Sequence, residues 1–130
     1  MRKLKLVLPL FFILCGKNIV ANANGKIGKH ELVGKASYYG SEYKKERYTA
    51  NGESFNKNSY TAAHKTLPFG TIVKVKNMKN KKVVKVRIND RGPFAKGRII
   101  DITPVAAKDL AMIESGVAQV ELEIVSLPKK

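Results

Sequence analysis

Apolar and polar residues alternate with a period of two through much of the second half of this chain. Thr71–Asn77 (T-I-V-K-V-K-N) and Val83–Ile88 (V-V-K-V-R-I) each set an apolar residue at every other position, the pattern of a strand with one buried face. Met78–Lys81 supplies turn-forming Asn and Lys between them, so Thr71–Ile88 is expected to be a hairpin. Leu32–Tyr39 alternates more loosely and ends at Gly40, Ile99–Ile102 is a short apolar run, and Ala118–Val125 alternates cleanly. Pro104–Ser115 has helical spacing, with Pro at its start and Gly116 to close it. Short strands, one helix and no strand–helix–strand repeat predict a small mainly-β barrel of mixed connections.

The first residues follow another rule. Arg2, Lys3 and Lys5 precede the apolar run Leu6–Cys15, and a polar patch then leads to Ala21-Asn22-Ala23. A basic start, a short apolar core and a small-x-small site are the parts of a secretory signal peptide. The core is too short for a membrane span, which needs roughly 20 apolar residues. The expected organisation is a signal peptide over residues 1–23, a flexible lead-in over 24–33, a barrel domain over 34–126 and a tail over 127–130, the exported chain beginning at Asn24. Cys15 stands where a lipoprotein's acylated cysteine would, but Leu14 precedes it in place of a small residue, so Ala21-x-Ala23 is the cleaner cleavage site. The product is expected to be periplasmic or secreted, and membrane-tethered only if Cys15 is lipidated. After cleavage no cysteine remains, so a packed core rather than a disulfide must stabilise a domain near the lower size limit.

Charge narrows the partners. The chain carries a formal +15, and without its leader 21 basic residues face 10 acidic ones, leaving +11. Such a field attracts polyanions, but export argues against nucleic acid and points to anionic polymers of the cell wall or to headgroups. The bases are mostly scattered lysines, so general basicity is an equally good account of the charge. A protein that binds polyanions through charge alone is therefore a third reading.

Candidate chemistry lies in the loops. Tyr48–Asn58 carries Glu53 directly after Asn51-Gly52, Thr61–Leu67 carries His64, and Asn89–Phe94 joins Asp90, Arg91 and a rigid Gly-Pro turn at a strand end. Two carboxylates and a histidine suffice for glycosidic bond cleavage. Each residue also has a structural reading: Glu53 as a solvated turn acid, His64 as a buried ring satisfying loop carbonyls, Asp90 as a turn residue. Asp101, shortly before Thr103-Pro104, could cap the helix. The spacing leaves these alternatives open. No HxxxH or CxxC spacing points to a metal, and no cofactor is expected.

Five segments taken together change the picture. A-S-Y-Y-G (36–40), T-A-N-G-E-S-F (49–55), T-A-A-H-K-T-L-P-F-G (61–70), V-R-I-N-D-R-G-P-F (86–94) and R-I-I-D-I-T (98–103) resemble, in order, the motifs of the rare lipoprotein A family. The resemblance spans about Gly34–Val125. It implies a six-stranded double-psi β-barrel with one or two short helices, a fold shared with expansins. It also implies a lytic transglycosylase that cleaves peptidoglycan glycan strands, with a preference for peptide-stripped strands, leaving 1,6-anhydro-N-acetylmuramyl ends. Glu53, His64 and Asp90 fall on the family's functional positions, with Asp90 as the general acid, Asp90 or Glu53 as the base that takes the muramyl O6 proton, and Asp101, which resembles the acid of the expansin barrel, as the alternative acid. His64 is expected to orient rather than titrate, and Arg91 to point away from Asp90. Tyr38, Tyr39, Asn51, Arg91 and Arg98 are expected to contact the sugar. The protein is expected to be a monomer with no nucleic-acid partner. The rival reading within this fold is a non-catalytic, expansin-like module that binds or loosens the wall.

Overall fold

In a computed structural model, which describes residues 30–40 and 47–129, the alternating segments close on one another as a barrel. The signal peptide, its cleavage site and Cys15 lie outside the described residues. Among the described residues the strands are β1 (Val33–Tyr38), β2 (Thr61–His64), β3 (Ile72–Asn77), β4 (Val83–Asp90), β5 (Arg98–Ile102) and β6 (Val117–Ser126), with one helix, α1 (Pro104–Asp109), before β6. Around the barrel their order is β1-β5-β2-β4-β3-β6. The β1/β5 and β2/β4 pairs are parallel and the other four are antiparallel. This is the mainly-β, six-stranded architecture that the motifs imply.

Alternation explains the core. Val73 and Val75 of β3, Val84, Val86 and Ile88 of β4, and Val120, Leu122 and Ile124 of β6 are buried, while the lysines between them reach solvent. Ala36 and Ala62 are fully buried on the two strands that begin parallel pairs, where small side chains let neighbours approach. Gly34 marks the closest approach, since a Cβ there would lie 2.7 Å from Cγ2 of Ile99. The first strand begins at Val33, one residue inside the stretch read as lead-in, and the Leu32 carbonyl already accepts a hydrogen bond from the Leu122 amide at 2.8 Å.

Two elements differ from the sequence-based expectation. The segment 61–64, read as loop, is the strand β2. All four of its residues are buried, because it lies between β5 and β4 and is covered on both faces, so no alternation marks it. The helix ends at Asp109 rather than running to Ser115. Ala111 adopts a left-handed φ of 55°, its amide donates to the Lys108 carbonyl, and the Met112 amide donates to the Ala107 carbonyl. These are the two reversed bonds of a Schellman terminus, here with alanine where glycine is usual. The turn then buries Leu110 and Met112.

Candidate active site

The chain builds its main polar cluster where β4 loses register with β2. Ala62 pairs with Ile88, but the next residue, Ala63, pairs with Asp90, so Asn89 is an extra residue on β4. Strict alternation after Val84, Val86 and Ile88 would aim Asp90 into the core. The bulge turns it instead onto the face of Ala63, which the neighbouring strand β5 shares through Asp101. Beyond Asp101, Ser37 of β1 completes the row, and its hydroxyl donates to Oδ1 of Asp101 at 3.1 Å. Asp90 and Asp101 thus stand on either side of one buried alanine, with backbones roughly 10 Å apart across two strand spacings. Asp101 belongs to β5, and the N-cap of the helix is Thr103.

Ala63 gives room for an aromatic lid. Tyr39, Phe55 and Ala63 form a buried cluster, with the two ring centroids 4.8 Å apart. Across it the Tyr39 hydroxyl donates to Oδ2 of Asp90 at 2.7 Å. Oδ1 of Asp90 accepts the backbone amides of Ala50 at 2.8 Å and of Arg91 at 2.9 Å. The carboxylate is therefore fixed by three donors from three segments, and only the tyrosine donor can rotate to become an acceptor.

Glu53 stands in a different environment. Its carboxylate accepts two bonds from the Arg87 guanidinium, at 2.6 and 3.0 Å, one from the Asn89 amide at 2.9 Å and one from the Asn51 amide at 3.1 Å. The Arg87 bonds foremost, then Asn89, hold its pKa down to about 2 from an ordinary 4.5, with partial burial working weakly the other way. Glu53 is thus a charged clasp rather than a solvated turn acid. It draws the hairpin 47–55 onto the outer face of β4, where the Asn51 amide donates to the Asn89 carbonyl at 3.2 Å and the Ala50 amide reaches Asp90.

His64 is 1% exposed. Its Nδ1 accepts the amides of Thr66 and Leu67, both at 3.1 Å, so the ring proton sits on Nε2 and is donated to the Glu31 carbonyl at 3.0 Å. As the neighbour of Ala63 on β2, its side chain leaves the opposite face of the sheet from Asp101. The loop it shapes matters to the cluster indirectly. Nη1 of Arg91 donates to the carbonyls of His64 at 3.1 Å and Leu67 at 2.8 Å, and its guanidinium stacks 4.0 Å from the Phe69 ring centroid. The side chain of Arg91 is directed to that loop, while its amide holds Asp90.

The expected sugar contacts divide. Tyr39 is 3% exposed, with its hydroxyl on Asp90. The Tyr38 hydroxyl donates to the Ile113 carbonyl at 2.8 Å, tying β1 to the segment after α1. Asn51 serves the Glu53 clasp, and Arg98 opens β5 opposite Lys35, at the far end of that strand from Asp101. Arg87, Asn89, Ala63 and Ser37 escaped the sequence reading. Only Arg87 and Asn89 carried a local signal, two positions apart on the polar side of β4. Among the described residues, no group of three or more His, Cys, Asp or Glu side chains is placed to hold a metal ion.

Comparison with known proteins agrees with the fold. Residues 31–122 match the model of a double-psi β-barrel family described as lytic transglycolase. A probable endolytic peptidoglycan transglycosylase RlpA of Synechocystis is 56% identical over 92 residues, covering 71% of this chain and 28% of that protein. The Pasteurella multocida endolytic peptidoglycan transglycosylase RlpA is 50% identical over 97 residues, covering 75% and 33%. The Aquifex aeolicus relative is 43% identical over 115 residues, covering 88% and 48%. The chain thus spans between about a quarter and a half of the length of these relatives. Among solved structures, the Streptomyces papain inhibitor superposes with a TM-score of 0.58 at 25% identity, covering 78% of this chain and 98% of the inhibitor. A Clavibacter michiganensis expansin in complex with cellohexaose also gives 0.58, at 16% identity, covering 76% and 52%, a likeness of fold alone.

Proposed function

This chain belongs to the lytic transglycolase family of double-psi β-barrels, and from that membership we propose that its domain cleaves the glycosidic bond between N-acetylmuramic acid and N-acetylglucosamine in peptidoglycan, without water. The observation that carries the reading is Asp90, turned outward by a bulge and held by Tyr39, Ala50 and Arg91. The protonated acid, with its proton on Oδ2, donates to the bridging oxygen as that oxygen leaves C1. Before the glycan arrives the tyrosine hydroxyl turns to accept that proton's hydrogen bond, it yields the bond to the bridging oxygen, and it turns back to donate to the carboxylate afterwards. The muramyl O6 closes on C1, and its proton returns to Asp90. One C–O bond breaks, one forms, and the acid is regenerated, so the product carries a 1,6-anhydro ring. Asp101, on the same face, stabilises the positive charge that develops at C1. Glu53 and His64 act as positioning residues: Glu53 sets the hairpin that gives Asp90 the Ala50 amide, and His64 sets the loop that holds Arg91.

The test is mass spectrometry of soluble products from sacculi and from peptide-stripped glycan. Asp90→Asn keeps the shape but cannot donate an acid proton, and is expected to lower the rate by about 10² to 10⁴. Asp101→Asn is expected to retain measurable cleavage. A folded, inactive Asp101→Asn beside an active Asp90→Asn moves the acid to Asp101. A wild type that binds glycan and never releases anhydro products leaves the expansin-like binding module as the function.

Export completes the reading. The leader motif supports export to the side of the membrane where peptidoglycan lies, and N-terminal sequencing of the exported protein is expected to begin at Asn24. An acylated start at Cys15 would make it an anchored lipoprotein instead.

A further inference from the structure

Of the two tyrosines expected to contact the sugar, Tyr39 is buried with its hydroxyl on Asp90, and the Tyr38 hydroxyl is turned to the Ile113 carbonyl. Two other aromatic side chains stand open on the chain segments that supply the backbone donors of Asp90. Phe94 is 78% exposed and Tyr48 is 73% exposed, the largest exposures among the big apolar side chains of the described residues. Both are placed by the segments that hold the Asp90 carboxylate. Tyr48 lies two residues before Ala50, on the hairpin closed by the Tyr48–Ser54 bridge and clamped by Glu53 on Arg87. Phe94 lies three residues after Arg91, whose amide supplies the other donor.

The setting of Phe94 is also specific. Gly92 has a left-handed φ of 120°, and a Cβ there would lie 3.4 Å from Cε2 of Phe94 and 3.6 Å from Cδ2. The edge of the ring therefore rests against the bare glycine while most of its surface meets solvent. An exposed aromatic ring costs apolar hydration, and holding one against a rigid turn next to an outward carboxylate is the arrangement of a docking surface rather than of a core.

We infer that Tyr48 and Phe94 are stacking subsites for pyranose rings of the glycan strand, one on each of the two segments whose backbone amides grip Asp90. The ligand class follows from shape and polarity. A β-1,4-linked hexosamine presents apolar C–H faces and a polar hydroxyl rim, and a flat exposed ring matches the former without demanding a charge. Stacking beside the scissile bond uses binding along the strand to place one glycosidic oxygen at Oδ2 of Asp90. The inference rests on the proposed cleavage of glycan and adds where the strand is gripped.

Isothermal titration calorimetry of a peptide-free glycan oligosaccharide tests it, with the full chain carrying Asp90→Asn so that turnover is slow on the timescale of the titration. Adding Phe94→Ala or Tyr48→Ala is expected to weaken binding about tenfold each, the scale of removing one well-covered aromatic contact. Phe94→Tyr and Tyr48→Phe, which keep the rings, are expected to bind as the parent does. In the active chain the alanine variants are expected to lower kcat/KM about tenfold. Parent-level binding by both alanine variants, or loss in the ring-preserving variants as well, overturns the stacking subsites and leaves the cleavage reading standing. Absence of glycan binding by a parent chain that is folded overturns both.

Discussion

The hydroxyl of Tyr39 donates to Oδ2 of Asp90 across 51 residues of sequence, from the end of the first strand to the end of the fourth. The ring that carries it packs on Phe55 and Ala63, so its aim is fixed by apolar contacts that do not depend on the carboxylate. Tyr39→Phe separates the two contributions. The fold is expected to survive with a loss of about 1 kcal/mol, since the ring stays buried and one partly exposed hydrogen bond goes. Cleavage is expected to fall at least about tenfold, through kcat, because the proton on Oδ2 loses the partner that positions it. Thermal melting and kinetics on one glycan substrate measure both.

Glu53 predicts an acid-dependent loss of stability. Its folded pKa of about 2 lies below the ordinary 4.5, held there mainly by Arg87. The contribution is therefore fully present above about pH 4.5 and is lost as the pH falls towards 2. Both side chains of the pair are 39% exposed, so solvent screening reduces the effect to on the order of 1 kcal/mol. Denaturant titrations of wild type and Glu53→Gln at pH 7, 4 and 2.5 are expected to differ most at pH 7 and to converge at the lowest pH. A difference that grows towards low pH would contradict the clasp. Activity at neutral pH is expected to fall in Glu53→Gln as the hairpin carrying Ala50 loosens.

His64 predicts a stability defect first. Removing its ring in His64→Ala deprives the Thr66 and Leu67 amides of their acceptor and leaves a cavity, at a cost of about 2–4 kcal/mol. Residual cleavage is expected to keep the pH profile of the wild type, because both ring nitrogens are already engaged by backbone groups. A folded His64→Ala whose pH profile loses one limb would return the histidine to the chemistry.

Ala111 predicts a gain. It is exposed, and its left-handed backbone costs a non-glycine residue roughly 1 kcal/mol. Ala111→Gly is expected to raise the melting temperature by about 5 °C with unchanged activity. A fall in melting temperature would mean that the entropy of the added glycine outweighs the relieved strain.

The regular β elements were legible because period-two alternation is local: Ile72–Asn77 and Val117–Ser126 each carry their buried face in their own residues. The motifs likewise carried the family and, through it, the barrel. What the chain alone did not display depends on partners distant in sequence. Thr61–His64 has no exposed side, so no alternation marks it, and its pairing with β5 and β4 makes it a strand. The helix stopped at Asp109 because Leu110 and Met112 were drawn into the core, a demand stronger than the propensity of an Ala- and Lys-containing run to continue. The acids look alike in sequence and were separated only by tertiary neighbours: Glu53 by a guanidinium 34 residues away, and Asp90 by a one-residue slip against β2. Composition and periodicity thus determined which faces of the strands are buried, since that is a property of each short segment. Strand register decided which carboxylate faces outward and what holds it, because a one-residue slip reverses the face of every side chain that follows.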